Sequence, residues 1–326
     1  MIKYLITGFS GFVSKHFLEY LDACGEKAEV YGIDINQPDF DLSGFTNIKC
    51  YFREINLLNK DDISNVLFQV HPDFILHLAS FSSVAYSWNN PVASFVNNTN
   101  IFLNLVEQLR VLHSPCRMLS VGSSEEYGNV NKEDLPLKEN GWLNPISPYA
   151  VARVSQELLS RVFVDGYGMD IVMTRSFNHM GPGQKDVYAV SSFAKQLVES
   201  KNRGDKTCRL VVGDVSIIRD YVDVRDVVKA YYLLLKHGSR GETYNVCKGE
   251  GIALSEIVKM MAKILDVSVE ININKDLFRP NDNRIIVGSN KKIFEAVGWT
   301  PKITLEDTLK DVIDYWSSKL ILSGGS

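Results

Sequence analysis

The chain has 326 residues, 45% hydrophobic and 23% charged, with a net charge of −4. That length suits one large domain or two unequal ones, and the acidic balance argues against a general nucleic-acid surface. Cys24, Cys50, Cys116, Cys208 and Cys247 are odd in number and include no C-x-x-C pair. They predict reduced thiols in a cytoplasmic protein, not a zinc site or a disulfide framework.

From the first residue, short β-rich runs alternate with helical patterns. "MIKYLITG" carries one lysine and runs into a glycine turn, so it reads as a strand and not a signal peptide. The helix "FVSKHFLEYLDACG", the strand "AEVYGIDI" and the helix "DDISNVLFQVHP" follow. Next come the strand "DFILHLAS", the long helix "SFVNNTNIFLNLVEQLRVL" and the strand "CRMLSVGSS". A helix from about Tyr149 to Tyr167 leads into "MDIVMTRSFN". Near-continuous apolar strands in a βαβα rhythm predict an α/β fold of Rossmann type, a doubly wound parallel sheet.

After about residue 180 the rhythm loosens, with "GPGQ", "KNRGDKT" and "FRPNDN" as loop punctuation. The helices "SEIVKMMAKIL" and "LEDTLKDVIDYWSSKL" belong to this part. The expected division is a dinucleotide-binding domain over 1–180, rejoined by segments around 210–250. A smaller C-terminal α/β substrate-binding lobe covers most of 181–322, and 323–326 form a flexible tail. No apolar stretch approaches the ~20 residues a membrane span needs.

In "YLITGFSGFVS", Gly8 and Gly11 lie between a strand and a helix. Glycines there let backbone N–H groups of Ser10, Phe12 and Val13 approach a pyrophosphate at the helix N-terminus. The usual third glycine is absent, and Ser14 stands in its place. Asp34, at the end of the second strand and followed by Ile35, can accept from the adenosine ribose hydroxyls and repel a 2′-phosphate. The cofactor expected is therefore NAD(H).

"SVGSSEEYGN" puts Ser123, Ser124 and Glu125 just past a buried strand, where ligands of doubly wound sheets bind. Alone, the segment fits a helix cap equally well. In "NPISPYAVAR", Tyr149 and Arg153 share a helix face. A phenol serves as acid and base once its pKa falls from ~10 toward neutrality, and a cation ~4 Å away supplies about 4 kcal/mol. The alternative is a cation–π pair on a solvated helix face.

With these residues in hand, the chain resembles an extended short-chain dehydrogenase/reductase of the nucleotide-sugar-modifying branch. Within it, the likeness is to GDP-4-keto-6-deoxy-D-mannose reductases and GDP-mannose 4,6-dehydratases. "TGFSGF", "HLAS", "VGSSEEYG", "SPYAVAR", "RSFNHMGPGQ", "RDYVDVRDVVKAY", "YNVCKG" and "FRP" carry it in family order. The resemblance implies that Ser123 orients a sugar hydroxyl and Tyr149 moves its proton. It implies that Leu78, Ala79, Ser80 and Asn98 line the nicotinamide side, and that Asn56 and Leu57 flank the adenine. Ser82 and Asn178 would meet the sugar, with Lys195, Arg219, Arg279 and Asp282 around the diphosphate.

Two departures stand out. Arg153 replaces the family's catalytic lysine, and Ile101-Phe102 stands where Gly-Thr is usual. Arginine keeps the charge but does not readily give up its proton. The expected activity is NAD-dependent C4 oxidoreduction of a GDP-linked manno-configured hexose or heptose. A 4,6-dehydratase using Glu125 is the alternative, and a weakly catalytic NAD-binding partner protein a further one. The resemblance also implies a cytoplasmic homodimer or homotetramer, with no metal, nucleic-acid or membrane partner.

Overall fold

The computed structural model describes residues 1–323. The first strands are β1 (Ile2–Thr7), β2 (Ala28–Asp34), β3 (Ile48–Glu54), β4 (Phe74–His77), β5 (Arg117–Ser123) and β6 (Asp170–Ser176). Helices α1 (Phe12–Ala23), α2 (Lys60–Val70), α3 (Val84–Asn89), α4 (Pro91–Phe95), α5 (Ile101–Val111) and α6 (Pro148–Tyr167) alternate with them. The later strands are β7 (Asn178–Met180), β8 (Thr207–Val212), β9 (Ile218–Asp223), β10 (Thr243–Val246), β11 (Gly251–Ala253), β12 (Ser268–Ile273) and β13 (Ile285–Ile286). Helices α7 (Ala189–Arg203), α8 (Val224–His237), α9 (Leu254–Leu265), α10 (Lys291–Val297) and α11 (Leu305–Ser323) lie among them. The predicted tail thus begins inside α11 at Ser323, and its remainder, 324–326, lies outside the described residues.

One sheet of seven strands, in the order β10-β6-β5-β4-β1-β2-β3, organises the molecule, and every pairing in it is parallel. This is the doubly wound α/β fold expected of apolar strands covered on both faces. Helices α1 and α8 cover one face, through Phe17, Leu21, Val227 and Leu234. Helices α2, α5 and α6 cover the other, through Leu67, Leu105 and Phe163. The order reverses between β1 and β4, so their carboxyl ends open the crevice where such sheets bind ligands.

β3 was not among the sequence-predicted strands. It is an edge strand whose residues alternate between half-buried and exposed, with Lys49, Arg53 and Glu54 facing water. The long helix expected over 94–112 is also interrupted, since Val96–Asn100 form a π-helical turn between α4 and α5. Thr99 Oγ1 donates to Ala152 O at 3.1 Å, which ties that turn to α6.

β7, β9, β11 and β13 form a second sheet, while β8 and β12 pair by themselves. A separate core of Leu197, Ile257, Met261, Leu309 and Trp316 holds α7, α9 and α11 together.

Candidate active site

Gly8 sits at φ +70, and a Cβ there would lie 2.7 Å from the backbone N of Ala79. Only glycine lets the β1 turn lie against the chain leaving β4. Leu78 N–H donates to Thr7 O and Ala79 N–H to Thr7 Oγ1, both at 3.1 Å, which fixes that approach. Ser80 is half-buried further along the same segment.

The start of α1 carries no side-chain cap, as is true also of α7 and α9. Asn59, Ser147 and Asp223 cap α2, α6 and α8 with side-chain oxygens. Gly11 caps α1 with no side chain, and no acidic residue occupies its first turn. Unpaired N–H groups and the positive end of the helix dipole therefore face the crevice, an arrangement suited to an anion. Phe12 and Val13 are half-buried on the core, and Phe12 stacks on His179 at 6.4 Å. Ser14, at the missing-glycine position, is fully buried, and its hydroxyl has no partner among the described residues.

Asp34 ends β2 and accepts from Ser10 N–H and Asn36 N–H, each at 3.1 Å. Its carboxylate therefore belongs to the glycine turn and retains lone pairs for further donors. Ile35 and Asn56 are exposed beside it, whereas Leu57 is a core residue under α2 and α5.

Ser147 accepts from Ala150 N–H at 3.1 Å and Pro148 fills the first helical position, so Tyr149 stands in the first turn of α6. Tyr149 and Arg153 are 6% and 4% exposed, and the guanidinium lies 5.3 Å above the phenol ring. The pair has cation–π geometry, but in the interior and not on a solvated face. Arg153 Nη1 donates to Val121 O at 3.0 Å and to Gln156 Oε1 at 2.7 Å, while its buried Nε has no partner. Gln156 in turn donates to Ser120 Oγ at 2.9 Å, so β5 and α6 together aim the cation. Among the described residues the Tyr149 hydroxyl has no hydrogen-bond partner, which leaves it free for a ligand.

Ser123 closes β5. Its Oγ accepts from Glu125 N–H at 3.2 Å, and its own N–H donates to Glu126 Oε1 at 2.7 Å. Ser124 is buried at the start of the 3-10 turn Ser124–Tyr127. Asn98 is buried in the π turn, donating to Ser94 O at 2.6 Å. Its Oδ1 has no partner. Phe102 is fully buried against His77 at 5.5 Å, so a core aromatic has replaced the small residues usual there.

Glu125, Arg219, Arg279 and Asp282 converge from three parts of the chain. Arg219 Nη2 donates to Asp282 Oδ1 at 2.6 Å, and Arg279 Nη1 lies 3.4 Å from Asp282 and 3.9 Å from Glu125. Burial lifts the Glu125 carboxyl above its ordinary pKa, and this outweighs the opposing pull of the two arginines. Asn178 is exposed on β7 and pairs in register with Tyr221 of β9, two residues from Arg219. Burial pushes the Tyr221 phenol up to about 12. Lys195 does not join this group among the described residues. It pairs with Asp186 at 2.6 Å and lies 5.4 Å over the Trp316 ring.

Some neighbours of the site were not anticipated. Ser82 shares a 2.7 Å hydrogen bond with the Tyr188 hydroxyl, and burial raises the Tyr188 phenol above its ordinary pKa. His77 bonds Thr7 Oγ1 at 2.8 Å through Nδ1, and burial with the nearby Arg153 lowers its pKa to about 3. Glu126 had a local signal, since Ser-x-x-Glu is the capping-box pattern. Tyr188 and Gln156 had none, because their roles depend on packing across elements.

The family model of GDP-mannose 4,6 dehydratase matches residues 5–312, and the chain belongs to that family. The chain is 31% identical to the GDP-6-deoxy-D-mannose reductase of Pseudomonas aeruginosa, an alignment covering 98% of each. It is 26% identical to the GDP-6-deoxy-D-talose 4-dehydrogenase of Aggregatibacter actinomycetemcomitans, covering 91% of this chain and 92% of that one. The structure of RMD from Pseudomonas aeruginosa complexed with NADPH superposes with a TM-score of 0.85 at 31% identity. That superposition covers 98% of this chain and 100% of the other.

Proposed function

We propose that the protein is an NAD-dependent C4 oxidoreductase of a GDP-linked, manno-configured hexose or heptose. The observation that carries this reading is Tyr149, a buried-ring phenol with a free hydroxyl beside Arg153, on the same crevice as an uncapped helix start. Gly8, Ser10, Gly11, Phe12 and Val13 would hold the pyrophosphate, and the lack of room for a Cβ at Gly8 fits a backbone cradle. Asp34 would take the adenosine ribose, and a 2′-phosphate would meet its negative charge. Ile35, Asn56 and Leu57 would border the adenine, with Leu78, Ala79, Ser80 and Asn98 toward the nicotinamide.

A bound nicotinamide supplies or accepts the hydride at C4. Tyr149 moves the proton of the C4 oxygen, and Ser123 holds that oxygen in line. Arg153 contributes its fixed charge but no proton relay. Ser82 and Asn178 meet the sugar. Arg219 and Arg279 face the diphosphate with Asp282 as their common counter-ion, and the upward shift of Glu125 keeps this group more positive. Lys195 belongs at the edge of the same lobe. The substrate lobe spans mainly 181–322, and the cofactor domain comprises 1–180 with α8 and β10.

Glu125 also supports a second reading. A buried carboxyl inclined to keep its proton suits the acid that expels a C6 hydroxyl, as a 4,6-dehydratase requires.

The deciding experiment mixes purified protein with GDP-hexoses and GDP-heptoses, following reduced nicotinamide by absorbance and the sugar by mass. Gain or loss of two hydrogens supports the oxidoreductase, and loss of water the dehydratase. Absence of hydride transfer with every such substrate sinks the proposal. Asp34 makes NAD the better cofactor, by at least about tenfold in kcat/KM.

Self-association has its own support. Val151, Leu158 and Val162 are 43%, 51% and 57% exposed at coiled-coil spacing on α6. Val92 and Phe95 of α4 extend this apolar face, which suits a homodimer or a larger homo-oligomer. Among the described residues no helix is long and apolar enough to cross a membrane. Five free cysteines suit a reducing compartment such as the cytoplasm.

A further inference from the structure

Beneath Ser123 lies a group of charges that no step above uses. Glu126 is fully buried, and its Oε1 accepts from Ser123 N–H at 2.7 Å. Room for that carboxyl exists because the preceding residue is Gly122, where a Cβ would lie 2.4 Å from Glu126 Oε1. Glu157 approaches from α6 and Arg175 from β6, with side chains 3% and 2% exposed. Arg175 commits Nε and Nη2 to the two oxygens of Glu157, both at 2.8 Å. Its nearest approach to Glu126 Oε2 is 3.9 Å, and that oxygen meets no donor.

The remaining charged and titratable neighbours do not alter this balance. Arg161 from α6 donates to Glu157 Oε1 at 2.8 Å and is 46% exposed. Tyr127 lies under Arg175 at 4.7 Å and donates to Asn245 Oδ1. Glu139 offers its backbone O to Arg175 Nη1, and its carboxylate accepts from Asn245 N–H. Two carboxyl groups therefore face one another in a buried site where, among the described residues, the one buried cation is bound to one of them. Like charges so placed do not both ionise. A proton between them also supplies the donor that Glu126 Oε2 lacks.

We infer that Glu126 is a positioning residue for Ser123, sharing one proton with Glu157 and fixing the serine backbone at the end of β5. The directions of titration agree. Burial and Glu157 raise Glu126 well above the usual carboxylate range, while Arg175 holds Glu157 below it. Loss of the shared proton at alkaline pH sets a second negative charge against Glu157 and displaces the carboxyl from beneath Ser123. Turnover then falls while substrate binding persists. The inference rests on the role given to Ser123 under the proposed function.

Glu126→Gln keeps both the acceptor and the neutral charge, and Glu126→Leu removes the acceptor. The glutamine variant should hold kcat within about threefold at neutral pH and lose the part of the alkaline decline that Glu126 causes. The leucine variant should lose kcat by up to roughly 10²-fold with KM within about threefold. Infrared difference spectroscopy of the ligand-free protein adds a readout independent of activity. Wild type should show the carbonyl stretch of a buried carboxylic acid, and Glu126→Gln should lose it. Equal loss of kcat in the two variants overturns the inference, as does an alkaline limb unchanged by Glu126→Gln. Absence of the infrared band in wild type also overturns it, whether or not the protein is active. Failure of wild type to transfer hydride overturns the proposed function instead, so the two failures are distinguishable.

Discussion

The two groups of charge flanking Ser123 follow opposite designs. Below the serine, Arg175 and Glu157 satisfy each other in the dry interior, with Glu126 beside them. Above it, Arg219 and Arg279 share the carboxylate of Asp282 with Glu125 nearby; Arg219 is buried, while Arg279 stays 32% exposed. The buried group has no valence left for a ligand, and its energy goes into holding β5, β6 and α6 in register. The open group has more positive charge than its partner neutralises, and that surplus is what an anionic substrate would use. The same residue types are thus fully paired on one side and incompletely paired on the other, and only Arg279 of the four charged partners Arg175, Glu157, Arg219 and Arg279 reaches solvent substantially.

The largest expected effect lies between the two groups, at the tyrosine that belongs to neither. Tyr149→Phe should lower turnover by about 10²–10⁴-fold while leaving the melting temperature unchanged, because its hydroxyl bonds nothing among the described residues. A comparable fall in melting temperature would give the hydroxyl a structural role instead.

Breaking the buried group should read out in stability. Arg175→Met strands Glu157 beside Glu126 and should cost about 3–5 kcal/mol in urea unfolding. A loss under about 1 kcal/mol would show that water reaches the group, and the contrast would fail.

A third test concerns His77, buried at the end of β4 against Thr7. Its folded pKa is about 3, against ~6.5 when unfolded, so the folded state binds fewer protons between those values. Stability therefore falls as pH drops below ~6.5, and this residue should account for about 2 kcal/mol by pH 5. His77→Gln should flatten that part of the stability profile.

The smallest effect belongs to the open group. Arg279→Ala should raise KM about tenfold, near 1.4 kcal/mol, with stability altered by under about 0.5 kcal/mol. If stability falls and KM holds, Arg279 belongs to the structural side of the comparison.

Much of the cofactor half was legible because its signals are local. The end of a strand, two glycines and the start of a helix fall within eleven residues, 4–14, and apolar runs announce buried parallel strands. β3 escaped because an edge strand needs only one covered face, and its charged residues broke the run. The π turn escaped because its sequence remains helical in pattern. At the candidate site, the spacing of Tyr149 and Arg153 correctly placed both on one face. It did not reveal that Gln156 and Val121 would claim the guanidinium. Glu125 stood out by its place just past a buried strand and by family position, while its neighbour Glu126 is fully buried in the core. Nothing in a run of two glutamates distinguishes them. Arg175 breaks an apolar strand, and no local pattern signals that Glu157 lies across from it on α6.

β10 gives the assembly of this chain a particular order. The strand completes the seven-stranded sheet by pairing with β6, yet residues 177–242 lie between them. During synthesis, β6 emerges with a bare edge of backbone donors and acceptors, and it stays bare until Val246 has left the ribosome. Long-range pairings of this kind close slowly, and unpaired edges invite the wrong neighbour. The main sheet therefore stays unfinished until residues 177–242 have been made, a segment whose own strands β8 and β9 take partners, β12, β11 and β13, that come later still.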